Sequence, residues 1–318
     1  MKKKILKILF LFFFLYCTVM LLLTSFLYEQ GFRYSKPITP EEVKAKFSAY
    51  PLLARKRYEI TSKDKIPLVG YLYTLKATQI TSKGTIVLSH GLGMTHSDYL
   101  HEIEYFVKNG YQVFGFDNTG SGESGGNSVK GLSRSVIDLD YVLTFLENSA
   151  DFQNTPLFLY GHSWGGFAVC AVNNTPHNVS GIAERSGFNK AVGIMYEKIS
   201  DTVGKKTASI LAPFLHIYEW IKFGKYSIYS AVDGINQANC PALLMHSYED
   251  PIVPFGQSIV GNKVQITNPE VITKEYTNKS HYITSLVENG QVLGTDTTIL
   301  KMIIDFYDSV AKKKSASS

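Results

Sequence analysis

The chain has 318 residues, 45% of them hydrophobic, with 32 Lys and Arg against 27 Asp and Glu and a formal net charge of +5. That length is ample for one large buried core, and the composition excludes a disordered chain. The basic excess sits at the two tips, in Lys2, Lys3, Lys4 and Lys7 and in Lys312, Lys313 and Lys314, so the near-neutral body carries no nucleic-acid footprint.

Residues 8 to 28 form a nearly uninterrupted apolar run behind four lysines. At ~1.5 Å per residue such a run crosses a hydrocarbon core of ~30 Å. It is longer than the apolar region of a signal peptide, and Ser25-Phe26-Leu27-Tyr28 offers no small-residue cleavage pattern, so an uncleaved anchor is expected over a cleaved leader. The lysines keep the N-terminus cytoplasmic, which puts the body outside the membrane. The expected organisation is an anchor over 1–30, a polar linker over 31–55 containing a helix begun by Thr39-Pro40-Glu41-Glu42, and one large domain over 56–318. Cys17 lies in the apolar run, leaving only Cys170 and Cys240 in the body; neither a disulfide framework nor a metal cluster is encoded.

From Tyr58 onward, short apolar runs alternate with helical stretches. Strands are expected at 58–60 and 68–75, joined by a turn near Lys63-Asp64, then at 85–89, 111–117, 156–160, 179–184, 242–245 and 274–276. Helices are expected at 98–108, 132–146, 164–172 and 297–310. This alternation predicts βαβ units and a mostly parallel sheet with helices on both faces, an α/β fold. Residues 189–239 interrupt it with a helical, aromatic-rich segment holding Met195, Tyr196, Phe214, Tyr218, Trp220, Phe223, Tyr226 and Tyr229; an inserted lid is expected there.

Gly161-His162-Ser163-Trp164-Gly165 fits G-x-S-x-G, and so does Gly122-Glu123-Ser124-Gly125-Gly126. Context separates them. The chemistry needs a strand that breaks abruptly into a helix, exposing the serine hydroxyl on a tight turn. PLFLY precedes Ser163 and WGGFAVCAV follows it, whereas Ser124 leads into Asn127-Ser128 with no helix. Ser163 is therefore the candidate nucleophile. The N–H of Trp164, at the start of the following helix, faces the developing oxyanion.

On these motifs, in this order, the chain resembles the α/β-hydrolase superfamily from about Tyr58 to Val310, and most closely its membrane-anchored bacterial BEM46-like and serine-aminopeptidase-like members. His90-Gly91-Leu92-Gly93 resembles the oxyanion loop, which implies the N–H of Leu92 as second donor. Asp117-Asn118-Thr119-Gly120-Ser121-Gly122-Glu123-Ser124 resembles a structural D-x-x-G-x-G-x-S loop, though the usual arginine is absent at 118 and 119. The resemblance implies a triad in the order serine, acid, histidine. Asp250, in a segment similar to G-x-x-D-x-x-V-P, is then the acid, with Glu249 as second candidate. His281, the histidine beyond it, is the base. His162 is expected to point away from the site as packing, His90 to shape the oxyanion loop, and Ser247 stands where the usual glycine is missing.

The resemblance implies a serine hydrolase without metal or cofactor; the anchor, which keeps it near lipid, and the aromatic lid, which suits an apolar acyl chain, make carboxylic esters, lipid-derived ones included, the expected substrates. A serine peptidase or acyltransferase of the same fold is the alternative, with Glu197, Asp201 and Glu219 as lid carboxylates for a substrate N-terminus. A non-catalytic binding protein on this fold is the remaining alternative.

Overall fold

The structure, a computed structural model, describes all residues except Met1, Lys63, 77–81, Asn154, 289–290 and Ser318. Part of the turn expected at Lys63-Asp64 thus lies outside the described residues. In chain order the elements are α1 (Lys2–Phe32), β1 (Lys36–Pro37), α2 (Pro40–Ser48), β2 (Leu53–Thr61), β3 (Pro67–Leu75), β4 (Thr85–Ser89), α3 (Leu100–Lys108), β5 (Gln112–Phe116), β6 (Ser121–Gly122) and α4 (Arg134–Asn148). They continue through β7 (Leu157–His162), α5 (Trp164–Ala171), β8 (Val179–Arg185), α6 (Ala191–Val203), α7 (Lys205–Phe223), α8 (Ala231–Gln237) and β9 (Ala242–Ser247). The last are β10 (Val271–Tyr276), β11 (Ser285–Glu288), β12 (Gln291–Thr295) and α9 (Thr297–Ser317).

Eight strands form one sheet in the order β10-β9-β8-β7-β4-β5-β3-β2. The pairings β2–β3 and β3–β5 are antiparallel, and those from β5 to β10 are parallel. The α/β reading and its mostly parallel sheet hold. The central strands are apolar on both sides because both sheet faces are covered. Along β7, Leu157 and Leu159 enter the core beneath α4, α5 and α8, while Phe158 and Tyr160 enter the opposite core with α3 and α9. That two-residue alternation is the pleat itself.

The chain leaves β4 toward β5 on one side, and β7 leads to β8 on the other. Neighbouring strands whose connections diverge open a crevice at their C-terminal ends, where ligands bind in open α/β sheets. Here those ends are His90-Gly91 and His162-Ser163.

One expectation needs correction. The segment expected as a linker is docked onto the body. Thr39 closes a capping box with Glu42 at the start of α2, Val43 is fully buried, and β2 begins at Leu53 within the expected linker. The helix begun at Thr39 is as expected; its docking through Val43 is what the polar composition does not reveal. The hairpin β11–β12 was not foreseen; its antiparallel strands lie directly after His281.

Candidate active site

Ser163 stands between β7 and α5 with φ 56° and ψ −114°. A non-glycine residue there carries strain of roughly 1–3 kcal/mol. The surroundings hold it: Ser163 N donates to Arg185 O at 2.9 Å, and Phe167 N donates to Ser163 O at 2.9 Å. The two motif glycines are sterically required. A Cβ on Gly161 would lie 2.3 Å from Gly165 O, and one on Gly165 would lie 1.9 Å from Ser89 O. Close approach of α5 to β4 thus makes the turn sharp and leaves the serine hydroxyl at the crevice.

The other glycine-flanked serine is structural. Ser124 Oγ donates to Asp117 O at 2.6 Å and accepts from Val69 N at 2.8 Å. Asp117 is buried and accepts from His96 N at 2.9 Å and Glu123 N at 3.1 Å. Where the loop lacks an arginine, Thr119 Oγ1 accepts from Arg134 Nε at 2.9 Å, so the cation arrives from α4.

His281 follows β10, and its Nδ1 lies 2.8 Å from Asp250 Oδ2. Asp250 Oδ1 accepts from Ile252 N at 2.8 Å and Val253 N at 2.9 Å. Burial raises the Asp250 carboxyl, but the His281 hydrogen bond and charge and the two backbone donors outweigh it and hold the group below its ordinary value. Glu249, the second candidate, instead has its carboxylate 3.1 Å from Ser247 Oγ, away from His281.

Ser163 and His281 line one cavity of about 640 Å³, together with Leu92 and Trp164; Asp250 stands behind His281. Among the described hydrogen bonds, neither the N–H of Leu92 nor that of Trp164 has an acceptor, and Ser163 Oγ has no partner. Ser163 and the two residues whose N–H groups lack an acceptor thus line the same cavity. Most of the remaining lining is apolar: Phe188, Ile194, Met195, Leu211, Leu215 and Val253 are among it. Among the described residues no carboxylate lines this cavity.

The fold matches solved structures across nearly its whole length. An esterase from Pyrococcus furiosus superposes with a TM-score of 0.57 at 18% identity, covering 87% of this chain and 94% of that one. The chain has the α/β-hydrolase fold. A family profile described as serine aminopeptidase, S33, matches residues 80–213 of this hydrolase-fold chain. A monoacylglycerol lipase of Mycolicibacterium smegmatis is 31% identical over 105 residues, covering 32% of this chain and 37% of the lipase. A monoglyceride lipase of Saccharomyces cerevisiae is 31% identical over 95 residues, covering 28% of this chain and 29% of the lipase. The chain therefore spans well under half the length of these relatives.

His162 requires correction. It does not point away. It lines the cavity, its Nδ1 lies 2.7 Å from Tyr99 Oη, and its ring centroid is 4.9 Å from that of His281. Burial, with Arg185 and His281 close by, holds it well below the ordinary imidazole range, so it is neutral packing beneath His281. His90 braces the loop after β4: its Nδ1 lies 2.8 Å from Gly91 O, and Asn118 N donates to its Nε2 at 3.0 Å.

Three supports of the His281 loop escaped sequence reasoning. Ser186 Oγ donates to His281 O at 2.7 Å, and Ser247 Oγ donates to Lys279 O. Thr284 Oγ1 donates to Glu102 Oε1 at 2.8 Å, and that carboxylate is paired with Arg185. The missing glycine at 247 thus provides a hydroxyl that ties down the histidine loop. Ser186 could have been found only from the adjacency of β8 and β7.

Glu184, fully buried on β8, accepts from Gly187 N at 2.9 Å close behind the Ser163 turn. Burial pushes its carboxyl from 4.5 up to about 8. The folded state keeps a proton that the unfolded chain releases, so this group's contribution to stability falls as pH rises from about 4.5 to about 8 and then levels off. Between pH 6 and pH 8 the wild type is expected to lose about 2 kcal/mol more than Glu184→Gln, whose amide oxygen keeps the Gly187 bond. Thermal or denaturant melts at the two pH values check this. Parallel losses in both proteins would mean that Glu184 is ionised throughout.

Proposed function

We propose that the chain is a serine hydrolase of carboxylic esters carrying an apolar acyl group. The observation that carries this reading is the lining of the cavity at Ser163, which is largely apolar and has no carboxylate among its described residues. Burying a substrate ammonium there would leave a charge unpaired, which is costly. The lid carboxylates that would suit an aminopeptidase are elsewhere: Glu197 accepts from Gln257 Nε2 at 2.9 Å, Glu219 is buried against Ser133 and Tyr28, and Asp201 is absent from the lining. The lipase relatives agree in the reaction type, within the short stretch they share.

In this reading His281 Nε2 takes the proton of Ser163 as Oγ attacks the ester carbonyl. Asp250, bonded at Nδ1, holds the ring in the tautomer that leaves Nε2 free and stabilises the imidazolium. The N–H groups of Leu92 and Trp164 hold the tetrahedral oxyanion, with the N-terminus of α5 adding its dipole. His281 then gives the proton to the leaving alcohol. A water deprotonated by the same nitrogen releases the acid and restores Ser163. Residues 189–239, with α6 to α8, serve as the lid over this site. The helix α1 is long and apolar enough to cross a membrane; in this reading it anchors the enzyme, with the lysine end cytoplasmic and the domain of residues 56–318 outside.

A fluorophosphonate probe tests the reaction class. The full-length protein in detergent should be labelled on the peptide containing Ser163 and should hydrolyse aryl and glyceryl esters at least ~100-fold faster than aminoacyl anilides, a preference set by the unpaired ammonium. Labelling with the reverse preference would replace the esterase reading with the peptidase one. A folded protein that takes no label would favour a binding role.

A further inference from the structure

The apolar N-terminal helix does more than lead into the domain. Thr24, Leu27, Tyr28, Gly31 and Phe32 of α1 line the same cavity as Ser163 and His281. The nucleophile's pocket therefore has one wall from a helix whose stretch from residue 8 to residue 16 is apolar and exposed.

That wall is locked in place. The hydroxyl of Tyr28 donates to Glu219, a fully buried carboxylate whose other oxygen accepts from Ser133 Oγ at 2.8 Å. Gly131, at φ 142°, gives the ring room: a Cβ there would lie 2.0 Å from the Tyr28 hydroxyl. Just outside, Glu29 pairs with Lys222 and accepts from Tyr218 Oη at 2.7 Å. Removing α1 would strip Glu219 of one of its two partners and open the cavity on that side. Breaking a buried polar pair from one side leaves the other group unsatisfied and is strongly destabilising.

The helix also fixes where α7 lies. Tyr16, midway along α1, meets Phe214 of α7 edge-on with ring centroids 6.2 Å apart. A helix touching the middle of an apolar span lies at the depth of the hydrocarbon. The outer side of α7 is suited to that place: Ile210, Ile217, Trp220 and Ile221 share one face by their helical spacing, and each is about half exposed or more. An apolar stripe that is continuous with a membrane helix and includes a tryptophan is the composition of an interfacial helix.

We propose that α1 is the acyl-binding wall of the active site, and that the substrate is a long-chain monoacyl ester drawn sideways from the bilayer in which α1 and the outer face of α7 sit. The proposal rests on the esterase reading of Ser163. The bilayer supplies the acyl chain already extended beside α1, so the chain passes from lipid to cavity without crossing water. The helix is then part of the mature enzyme, since a processed chain would lack the wall.

The test uses full-length protein in phosphatidylcholine nanodiscs, with a butyryl and a palmitoyl ester of glycerol as substrates. Two variants fill the wall: Gly31→Leu, where an added Cβ meets nothing within 4 Å, and Leu27→Phe. The proposal expects the palmitoyl-to-butyryl ratio of kcat/KM to fall at least ~10-fold in both, because an acyl chain tolerates lost pocket volume poorly. An unchanged ratio in both variants overturns it. Equal loss on both esters also overturns it, since the wall would then serve stability rather than the acyl chain. A wild type that cleaves neither ester and takes no fluorophosphonate fails the esterase reading itself, a result distinct from either of these.

Discussion

Ser163→Ala is expected to lower kcat on esters by about 10⁴- to 10⁶-fold, with the fold intact. The loss is large because the hydroxyl is the only atom in the scheme that becomes covalently bonded to the acyl group. Without it, His281 can at best activate water, and only the oxyanion donors and substrate positioning remain, a residue of catalysis worth roughly 10³–10⁴ over water. Stability should barely change. The two hydrogen bonds that hold position 163 are made by its backbone, to Arg185 O and from Phe167 N, and its Oγ has no partner among the described residues. Alanine therefore leaves no group unsatisfied, and the φ of 56° is as tolerable to alanine as to serine. Single-turnover rates with purified variant and wild type, alongside melting curves, check both halves. A variant retaining more than about 1% of kcat would place the nucleophile elsewhere, far above the residual rate expected for a lost serine.

Much of the α/β architecture was legible because its signals are local. The runs TIVLS, PLFLY and ALLM are short, apolar and bounded by polar or glycine-containing turns, and each became a central strand. Their continuous hydrophobicity is what burial on both faces requires. Edge elements were read less well. The full β10, Val271–Tyr276, alternates half-buried and exposed positions, so only its last residues looked like a strand. In the polar stretch before β2 the helix at Thr39 is legible from its cap, but its docking is not: where one side faces water, polarity no longer separates a packed element from a linker.

The candidate site is legible to the extent that its residues sit on sequence motifs. Ser163, Asp250 and His281 each follow a strand of the one sheet; Ser163 and His281 line one cavity, and Asp250 is bonded to His281. What joins them from behind is tertiary and leaves no local trace. Tyr99 beneath His162, Ser186 and Ser247 beneath the His281 loop, and the Glu102–Arg185 pair come from elements that are distant in sequence. The role of α1 was hidden most thoroughly. A helix that is apolar all round has no amphipathic period to reveal which face meets protein. The small and polar residues of its C-terminal end, Thr24, Ser25, Glu29, Gln30 and Gly31, are the one local sign that this part differs from the rest of the helix.

The second large effect is expected from Asp250→Asn: a fall in kcat of about 10⁴-fold with little change in fold or KM. The geometry makes the substitution nearly isosteric. Asparagine can keep its carbonyl oxygen on the Ile252 and Val253 N–H groups, the place of Asp250 Oδ1. Its amide NH₂ then faces His281 Nδ1, 2.8 Å away in the wild type, where Asp250 Oδ2 now accepts. A donor in that position forces Nδ1 to be the acceptor. The ring proton moves to Nε2, which points it at Ser163, and the base is lost although every atom stays in place. The imidazolium formed during attack would also lose its carboxylate. Glu249→Gln, by contrast, alters a group whose partner is Ser247, and kcat should stay within about threefold of wild type, the scale of a surface change. Steady-state rates of the two variants on one ester separate the candidates. Near-normal turnover in Asp250→Asn together with collapse in Glu249→Gln would exchange their roles. Collapse in Asp250→Asn alone, with an unchanged melting temperature, would tie the rate to the tautomer of His281.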